Sequence, residues 1–503
     1  MSSNQTQDEL AYFLKFFTPQ IQFQIKQATI SRLKQKLHSG YEKFNKGEFE
    51  CLIASFIVMM CAPQPNISSY FESAGLFEYP FIQEMFSNYD IKMYLASLSF
   101  YDRDQPDEDT DDDGSISETE DEEAVVRHVE ENSEVEDDTI QIEQIEGPII
   151  KDETNATNIT AMLINKFIDQ VEDLFIKHMP DISYISVDES LIPCRCRCGH
   201  IVYMPQKPHK YGTLIRCACC AKTGYCISLF LHQRNIKYTC EGIFQRLLQN
   251  LPKKKFHLIT DNYYSTNNSF EFCLNSRIPY VSTIRSNRFS DVRTNKELQL
   301  GQYIELSKTS QHNNFYLTTY QATKTKRVNI AHTFSFANIQ QPQIWYDASC
   351  IKPPVVQYYN YYTRGVDLMD MFVSMTHWAH RSRRWPVKIF FHCLSIMLHN
   401  AFVLWKINNL TKTTFIEYCF TVAIKLKELH FVSQEKLVYG LHRAFEKKHQ
   451  SLNLLKMKLF NGQRTVTCSY CNKRTTVSCK CGQRVCTKCF SLHIVRISHQ
   501  HLE

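Results

Sequence analysis

Apolar residues recur at helical spacing through the first hundred positions. Phe13, Phe16, Phe17 and Ile21 keep that spacing, and residues 48–60 read as a second, more apolar helix. After a long polar stretch, Met162, Phe167, Val171, Leu174 and Phe175 mark one side of a helix over about 158–178. The period then changes to two. Residues 182–188 alternate, 212–218 and 224–231 read as partner strands, and Lys222-Thr223-Gly224 supplies the turn between them. A helix over 241–251, a short buried strand over 256–261, a helix over 265–277 and a strand over 278–285 follow. This order predicts an α/β layer architecture. Residues 286–355 show short β-like runs and no strong helix, and so long a stretch reads as an inserted subdomain rather than one loop. Helix returns over 365–376 and 385–406 and continues through 456. Of the longest apolar runs, 51–62 is too short to span a bilayer. The other, 389–405, is broken by His392, His399 and Asn400, so both are expected to be core helices, with no membrane segment.

These changes of pattern divide the chain. Residues 1–101 form a helical N-terminal region for dimerisation or DNA binding, and 102–150 an acidic linker. The α/β core occupies 151–285 and 356–406, interrupted by 286–355. A helical region, 407–463, leads to a cysteine-rich domain, 464–503. A chain of 503 residues, 43% hydrophobic, can bury more than one core. Charge sharpens the division. Residues 102–146 carry 21 Asp or Glu against two Arg, so the net charge of +5 leaves the remainder at +24. The tract lacks aromatic and apolar surface and is expected to be disordered, either as a solvated linker or as a DNA mimic shielding the basic body. The body itself favours a polyanionic partner, because each phosphate neutralised releases counterions. The N-terminus is polar through Asp8 and Glu9, with no secretory signal, which sets the 20 cysteines in a reducing compartment as metal ligands or buried residues rather than disulfides.

Three carboxylates fall where an α/β fold builds sites. Asp188 closes the run 182–188 and Asp261 closes 256–261, and the carboxyl ends of such strands are where ligands bind. Asp367 follows Gly365-Val366 in the first turn of a helix, where the macrodipole favours a negative charge, and Asp370 lies one turn on. Converging, they could hold two Mg²⁺ ions about 3.5–4 Å apart, activating an attacking oxygen and stabilising a leaving one. Taken singly, each Asp also fits a cap or a turn.

Basic residues accompany them. Lys207, His209 and Lys210 share a loop, Arg285 and Arg288 follow a strand, and Arg381, Arg383 and Arg384 precede Trp385. Such side chains suit phosphate contacts, and an indole can stack on a displaced base; a solvated helix end with a core Trp is the alternative. In the tail, Cys468, Cys471, Cys479, Cys481, Cys486, Cys489 and His493 fall within 26 residues, with His499 or His501 beyond. Paired thiolates at this spacing suit two interleaved structural Zn²⁺ ions, without which so short a segment could hardly fold. Two-zinc tails serve ubiquitin ligases, histone readers and DNA binders; the basic Lys473, Arg474, Lys480, Arg484, Lys488 and Arg496 favour DNA. Seven further cysteines from Cys194 to Cys226 read as small buried strand residues, with a third zinc site, assisted by His200 or His209, as the alternative.

The residues around the three aspartates resemble the piggyBac transposase family in sequence and order. The first block is Val187-Asp188-Glu189-Ser190-Leu191-Ile192-Pro193, with Tyr203-Met204-Pro205, Lys207-Pro208-His209-Lys210-Tyr211-Gly212 and Gly224-Tyr225. The second is Thr260-Asp261-Asn262-Tyr263-Tyr264-Ser265 with Tyr280–Arg288, and the third is Gly365-Val366-Asp367-Leu368-Met369-Asp370 with Arg383-Arg384-Trp385-Pro386 and Asn400-Ala401. The resemblance covers about 160–410 well and the first 101 residues weakly. It implies a ribonuclease-H-like catalytic core with an inserted domain, and catalytic roles for Asp188, Asp261 and Asp367 with Asp370 auxiliary. It further implies Mg²⁺-dependent excision through a hairpin and joining at TTAA targets, and a nuclear homodimer acting on double-stranded DNA. A domesticated enzyme rearranging host DNA, or a DNA- or chromatin-binding protein without catalysis, are the alternatives. Cys194, Cys196 and Arg364 depart from the family pattern without touching the aspartates.

Overall fold

The computed structural model describes residues 8–36, 41, 44, 48–72, 79–101 and 153–433, together with 458–459, 466–467, 474–475 and 477–478. Within the long span, 197, 235, 253–254, 286–296, 311–312, 337–351, 381, 383 and 410 are not described. The acidic tract and every expected tail zinc ligand lie outside the described residues. The chain divides into two compact units, one of residues 1–39 and 97–420, the other of 40–96 and 421–503.

The larger unit is built on one mixed sheet. Its strands are β1 (Tyr184–Pro193), β2 (Ile201–Tyr203), β3 (Tyr211–Cys220), β4 (Cys226–Leu231), β5 (His257–Thr260), β6 (Tyr280–Thr283), β7 (Tyr303–Ser310), β8 (Asn313–Gln321) and β9 (Arg327–His332). They run in the order β2-β3-β1-β5-β6-β9-β8-β7, with β4 paired to β3. The β1–β5 and β5–β6 pairs are parallel and the others antiparallel. The stretch 286–355, read from its pattern as an inserted subdomain, thus supplies three antiparallel strands that extend the central sheet. Their period is legible in the sequence; their partner, β6, is not, because pairing across so many residues leaves no local mark.

Helices cover this sheet. The N-terminal apolar spacing resolves into α1 (Glu9–Phe13) and α2 (Pro19–Gln35), broken where the Thr18 hydroxyl accepts the Ile21 N–H at 3.4 Å and Pro19 opens the second helix. In the second unit, α3 (Phe49–Cys61) is buried almost all round and α4 (Asn88–Ser97) follows. Tyr94 there donates to Glu48 at 2.6 Å and packs on Phe44. The sheet-side helices are α5 (Glu153–Lys177), α6 (Cys240–Leu248), α7 (Asn267–Asn275), α8 (Pro354–Tyr362), α9 (Gly365–Met375) and α10 (Trp385–Asn408), and α11 (Phe415–Ser433) follows them in the chain. Helix α10 is long and apolar enough to cross a membrane by length and composition, yet 94% of its apolar window is buried inside the protein. Two of its polar residues are tied to the β4 side of the sheet. Asn400 accepts the Cys226 N–H and donates to the Cys226 carbonyl, both at 2.8 Å, and His399 Nε2 lies 3.0 Å from the Gly224 carbonyl. One amide side chain therefore stands in for a missing strand along the free edge of β4.

Candidate active site

Strand β1 does not stop at Asp188. It continues to Pro193, and β3 pairs with it along the whole length, from Ile185 opposite Cys220 to Pro193 opposite Gly212. On its other side β5 pairs only with Tyr184–Val187 and ends at Thr260. The next residue of each strand, Asp188 and Asp261, therefore sits at a step where the sheet loses one strand. The loss of pairing leaves a notch in the sheet edge, which is the kind of place where an α/β sheet can admit a ligand.

The notch concentrates negative charge in poor solvent. Asp188 and Asp261 are both half-buried. Burial, contact with Glu189 and the charge of Asp261 hold the Asp188 carboxyl well above the usual carboxylate range. Burial and the Glu189 charge push Asp261 up to about 6, against the pull of N–H groups of Tyr263 and Tyr264. Each aspartate also receives a short-range backbone donor. The Glu189 N–H reaches Asp188 Oδ1 at 2.8 Å, and the Tyr263 N–H reaches Asp261 Oδ1 at 3.0 Å. Ser282, on the next parallel strand, donates to the Asp261 carbonyl at 2.8 Å and fixes the turn from behind.

Glu189 takes the opposite course. Burial would raise it, but its contact with Asp188 and the charges of Arg216 and Lys207 bring it below the ordinary value. Arg216 stands directly opposite on β3, is fully buried, and makes an ion pair with the Glu189 carboxylate. Its guanidinium also meets the Tyr264 hydroxyl at 2.6 Å and the Tyr263 hydroxyl at 3.2 Å, with its centre 4.8 Å from the Tyr263 ring. Lys207 donates to the Glu189 carbonyl at 3.1 Å. Arg216 escaped the sequence reading. The signal was there, since a charged residue inside Leu214-Ile215-Arg216-Cys217-Ala218 needs a buried partner.

Helix α9 reaches β1 because two glycines permit it. A Cβ on Gly365 would lie 3.0 Å from both the Ala221 Cα and the Ser186 Cβ. One on Gly224, which holds φ +72°, would lie 2.9 Å from the Met369 nitrogen. Ser186 locks the approach by donating to the Thr363 carbonyl at 2.6 Å. As a result Asp370 accepts the Ser190 hydroxyl at 2.6 Å, two residues along β1 from Asp188 and on the same strand face. Burial pushes Asp370 up to about 6, moderated by Ser190 and Lys207 and reinforced by the charge of Asp367. Asp367 itself, one turn earlier, is exposed.

The structure thus gathers Asp188, Glu189 and Asp261 at the step and brings Asp370 to β1 beside them. A hard cation suits this chemistry, because buried, mutually repelling carboxylates gain most from one. The fit extends to the pair Asp188 and Asp261: among the described residues, no three His, Cys, Asp or Glu side chains are gathered as a cation cage. Of the basic candidates, Lys207 bonds the Glu189 main-chain carbonyl and its charge acts on Glu189 and Asp370, Lys210 is exposed, and Arg285 Nε lies 3.4 Å from the Asn262 side-chain oxygen beside Asp261. Trp385 is buried with its ring 5.4 Å from that of His200, and Arg384 is half-buried. Arg288, Arg381 and Arg383 lie outside the described residues, as do Cys468, Cys471, Cys479, Cys481, Cys486, Cys489, His493 and His499. Cys217, Cys219, Cys220 and Cys226 are buried on β3 and β4.

Comparison with known proteins places this arrangement. Residues 8–131 and 150–402 match the family model described as Transposase IS4. The human PiggyBac transposable element-derived protein 3 is 21% identical over 353 residues, 65% of this chain and 58% of that protein. The chain belongs to the piggyBac transposase family. The human chimeric ERCC6-PGBD3 protein matches over the same length, which is 32% of it, so the chain spans less than two thirds of either relative. In fold, this piggyBac-family chain is similar to the cryo-EM structure of a piggyBac transposase synaptic complex with hairpin DNA. The TM-score is 0.65 over 96% of each chain, at 17% identity.

Proposed function

We propose that this member of the piggyBac family is a metal-dependent DNA transposase with a ribonuclease-H-like core, cutting and joining DNA strands at TTAA targets. The observation that carries the reading is the step between β1 and β5, where two half-buried aspartates act on each other's charge and, among the described residues, no cation makes an ion pair with either. Asp188 and Asp261 are proposed as ligands to Mg²⁺, with Asp367 as third donor and Asp370 as an auxiliary group. Bound there, the ions would supply Lewis acidity to a phosphate oxygen and lower the pKa of an attacking water or hydroxyl. The chain's own part is positional. Arg216 fixes Glu189, Glu189 steers Asp188, and Ser190 holds Asp370 to the same strand. Lys207 and Arg285 stand where a phosphate approaching the notch would meet positive charge. Double-stranded DNA as partner, a homodimeric state, nuclear location and two Zn²⁺ ions in 464–503 belong to the same proposal.

Purified protein with Mg²⁺ is expected to nick DNA carrying the inverted repeats that flank its coding region, and Asp261→Asn to abolish nicking while leaving binding of those ends intact. Nicking at the wild-type rate in the variant would refute the metal role. Chelation of the tail zinc is expected to weaken end binding, read by gel shift alongside zinc quantitation; undiminished binding would move the tail to a protein partner. One observation favours a second reading, a DNA-binding family member without catalysis: Asp367 is exposed rather than gathered with the other two. Absence of nicking in a protein that still binds its ends selects that reading.

A further inference from the structure

Past the end of β1, the Cys194 N–H continues the ladder to the Tyr211 carbonyl at 3.3 Å. Residues two apart along such a ladder share one face, and a disulfide asks that their sulfurs close to about 2 Å. Cys194 and Cys196 use that geometry: their sulfurs lie 3.0 Å from each other. Cys196 also donates to the Ser382 carbonyl at 3.1 Å, which ties the strand extension to the segment leading into α10. A half-buried ammonium completes the setting. Lys388 donates to the carbonyls of Trp378 at 3.1 Å and His380 at 2.7 Å, and its charge acts on both sulfurs. Among the described residues, the Cys198 thiol also acts on the pair and opposes ionisation of Cys196.

We propose that Cys194 and Cys196 form a dithiol modification site, converted by an oxidant of the peroxide class into an intramolecular disulfide that releases the Ser382 contact. One sulfur attacks a peroxide oxygen and the O–O bond breaks. Hydroxide leaves and takes the thiol proton as water, giving a sulfenic acid. The second sulfur then attacks the sulfenyl sulfur, the S–S bond forms, the S–O bond breaks, and its proton departs with a second water. Two thiols are oxidised, one peroxide is reduced, and a dithiol reductant reverses the step. Reactive cysteines are those held as thiolates by a neighbouring cation or donor. The pair meets that condition: contact with the Cys196 sulfur lowers Cys194 to about 7 despite burial, with the Lys388 charge assisting, and the single Cys196 proton is shared between the Ser382 carbonyl and the Cys194 sulfur. Cys61 and Cys240, both half-buried, provide internal controls outside the pair.

The test is differential alkylation of the full chain after limited peroxide at neutral pH. Lys-C releases residues 178–207 as one peptide holding Cys194, Cys196 and Cys198. Cys194 and Cys196 are expected to become protected together, about tenfold faster than Cys61 or Cys240. Dithiothreitol should restore both, and Cys198 should stay alkylatable. Cys196→Ser is expected to replace the disulfide by a dimedone-trapped sulfenic acid on Cys194. Protection at the rate of the control cysteines, a bridge to Cys198, or protection lifted by a chelator and not by reductant would each overturn the proposal.

Discussion

The carboxylates at the β1–β5 step and those at the start of α9 solve different problems with the same side chain. At the step, position is forced by the sheet. A strand tip projects where its neighbours leave it, so Asp188 and Asp261 stay in the notch whatever their charge costs, and the structure compensates with an N–H group on each carboxylate and the charge of Arg216 on Asp261, while Ser282 fixes the backbone. On the helix, one turn separates two environments. Asp370 turns toward β1 and is held by Ser190, while Asp367 turns to solvent. Sheet geometry creates obligatory charge burial, whereas a helix can choose which of two acids to bury. The contrast predicts that perturbing the step changes stability strongly and that perturbing the exposed helix position does not.

The largest effect is expected at Arg216. Replacing it with Met leaves Glu189 buried without its counter-charge beside two already repelling aspartates, and removal of one partner from a buried pair costs about 3–5 kcal/mol. Urea denaturation of Arg216→Met should show that loss as a fall in midpoint at constant slope. A loss below about 1 kcal/mol, the scale of a surface ion pair, would mean that the notch is wetter than its packing indicates.

How far the sequence foretold this contrast depends on the distance over which each feature is encoded. Alternation in 182–188, the apolar run before Asp261 and the Gly365-Val366-Asp367 helix start are local, and each element appears within a few residues of its expected place. The extension of β1 to Pro193 was hidden because Glu189 and Ser190 interrupt the apolar pattern, and their partners, Arg216 and Asp370, lie 27 and 180 residues away. For the same reason the exposure of Asp367 against the burial of Asp370 could not be read from spacing. Both positions are polar, and only the close approach allowed by Gly224 and Gly365 decides which one faces the strand.

A smaller, pH-dependent effect is expected at Asp261. Its carboxyl rises from 3.8 in the unfolded chain to about 6 in the folded one, so the folded state binds the proton more tightly. The stabilisation is complete below the unfolded value and is lost as pH rises through about 6. Without divalent cations, Asp261→Asn should therefore exceed the wild type in stability by about 3 kcal/mol at pH 7.5 and converge with it near pH 4. Asn keeps the acceptor for the Tyr263 N–H, so the difference isolates the charge. Added Mg²⁺ should raise the melting temperature of the wild type and leave the variant unmoved. A variant less stable than wild type at pH 7.5 would show that the notch does not oppose ionisation.

The smallest stability effect, and the sharpest division of roles, is expected at Asp367. An exposed carboxylate in the first turn of a helix gains from the helix dipole, and here that gain is set against its repulsion of Asp370, so Asp367→Asn should shift stability by no more than about 0.5 kcal/mol. Its effect on nicking should nevertheless be total if it donates the third ligand, because a carboxylate held in solvent is poised to engage a cation that the buried pair has begun to bind. Stability and activity therefore separate at this residue, whereas at Asp261 they move in opposite directions. A variant that nicks DNA normally would remove Asp367 from the donor set and leave Asp370, already hydrogen-bonded to β1, as the helix carboxylate serving the step. A variant that unfolds would instead show that α9 depends on this charge, contrary to its exposed position.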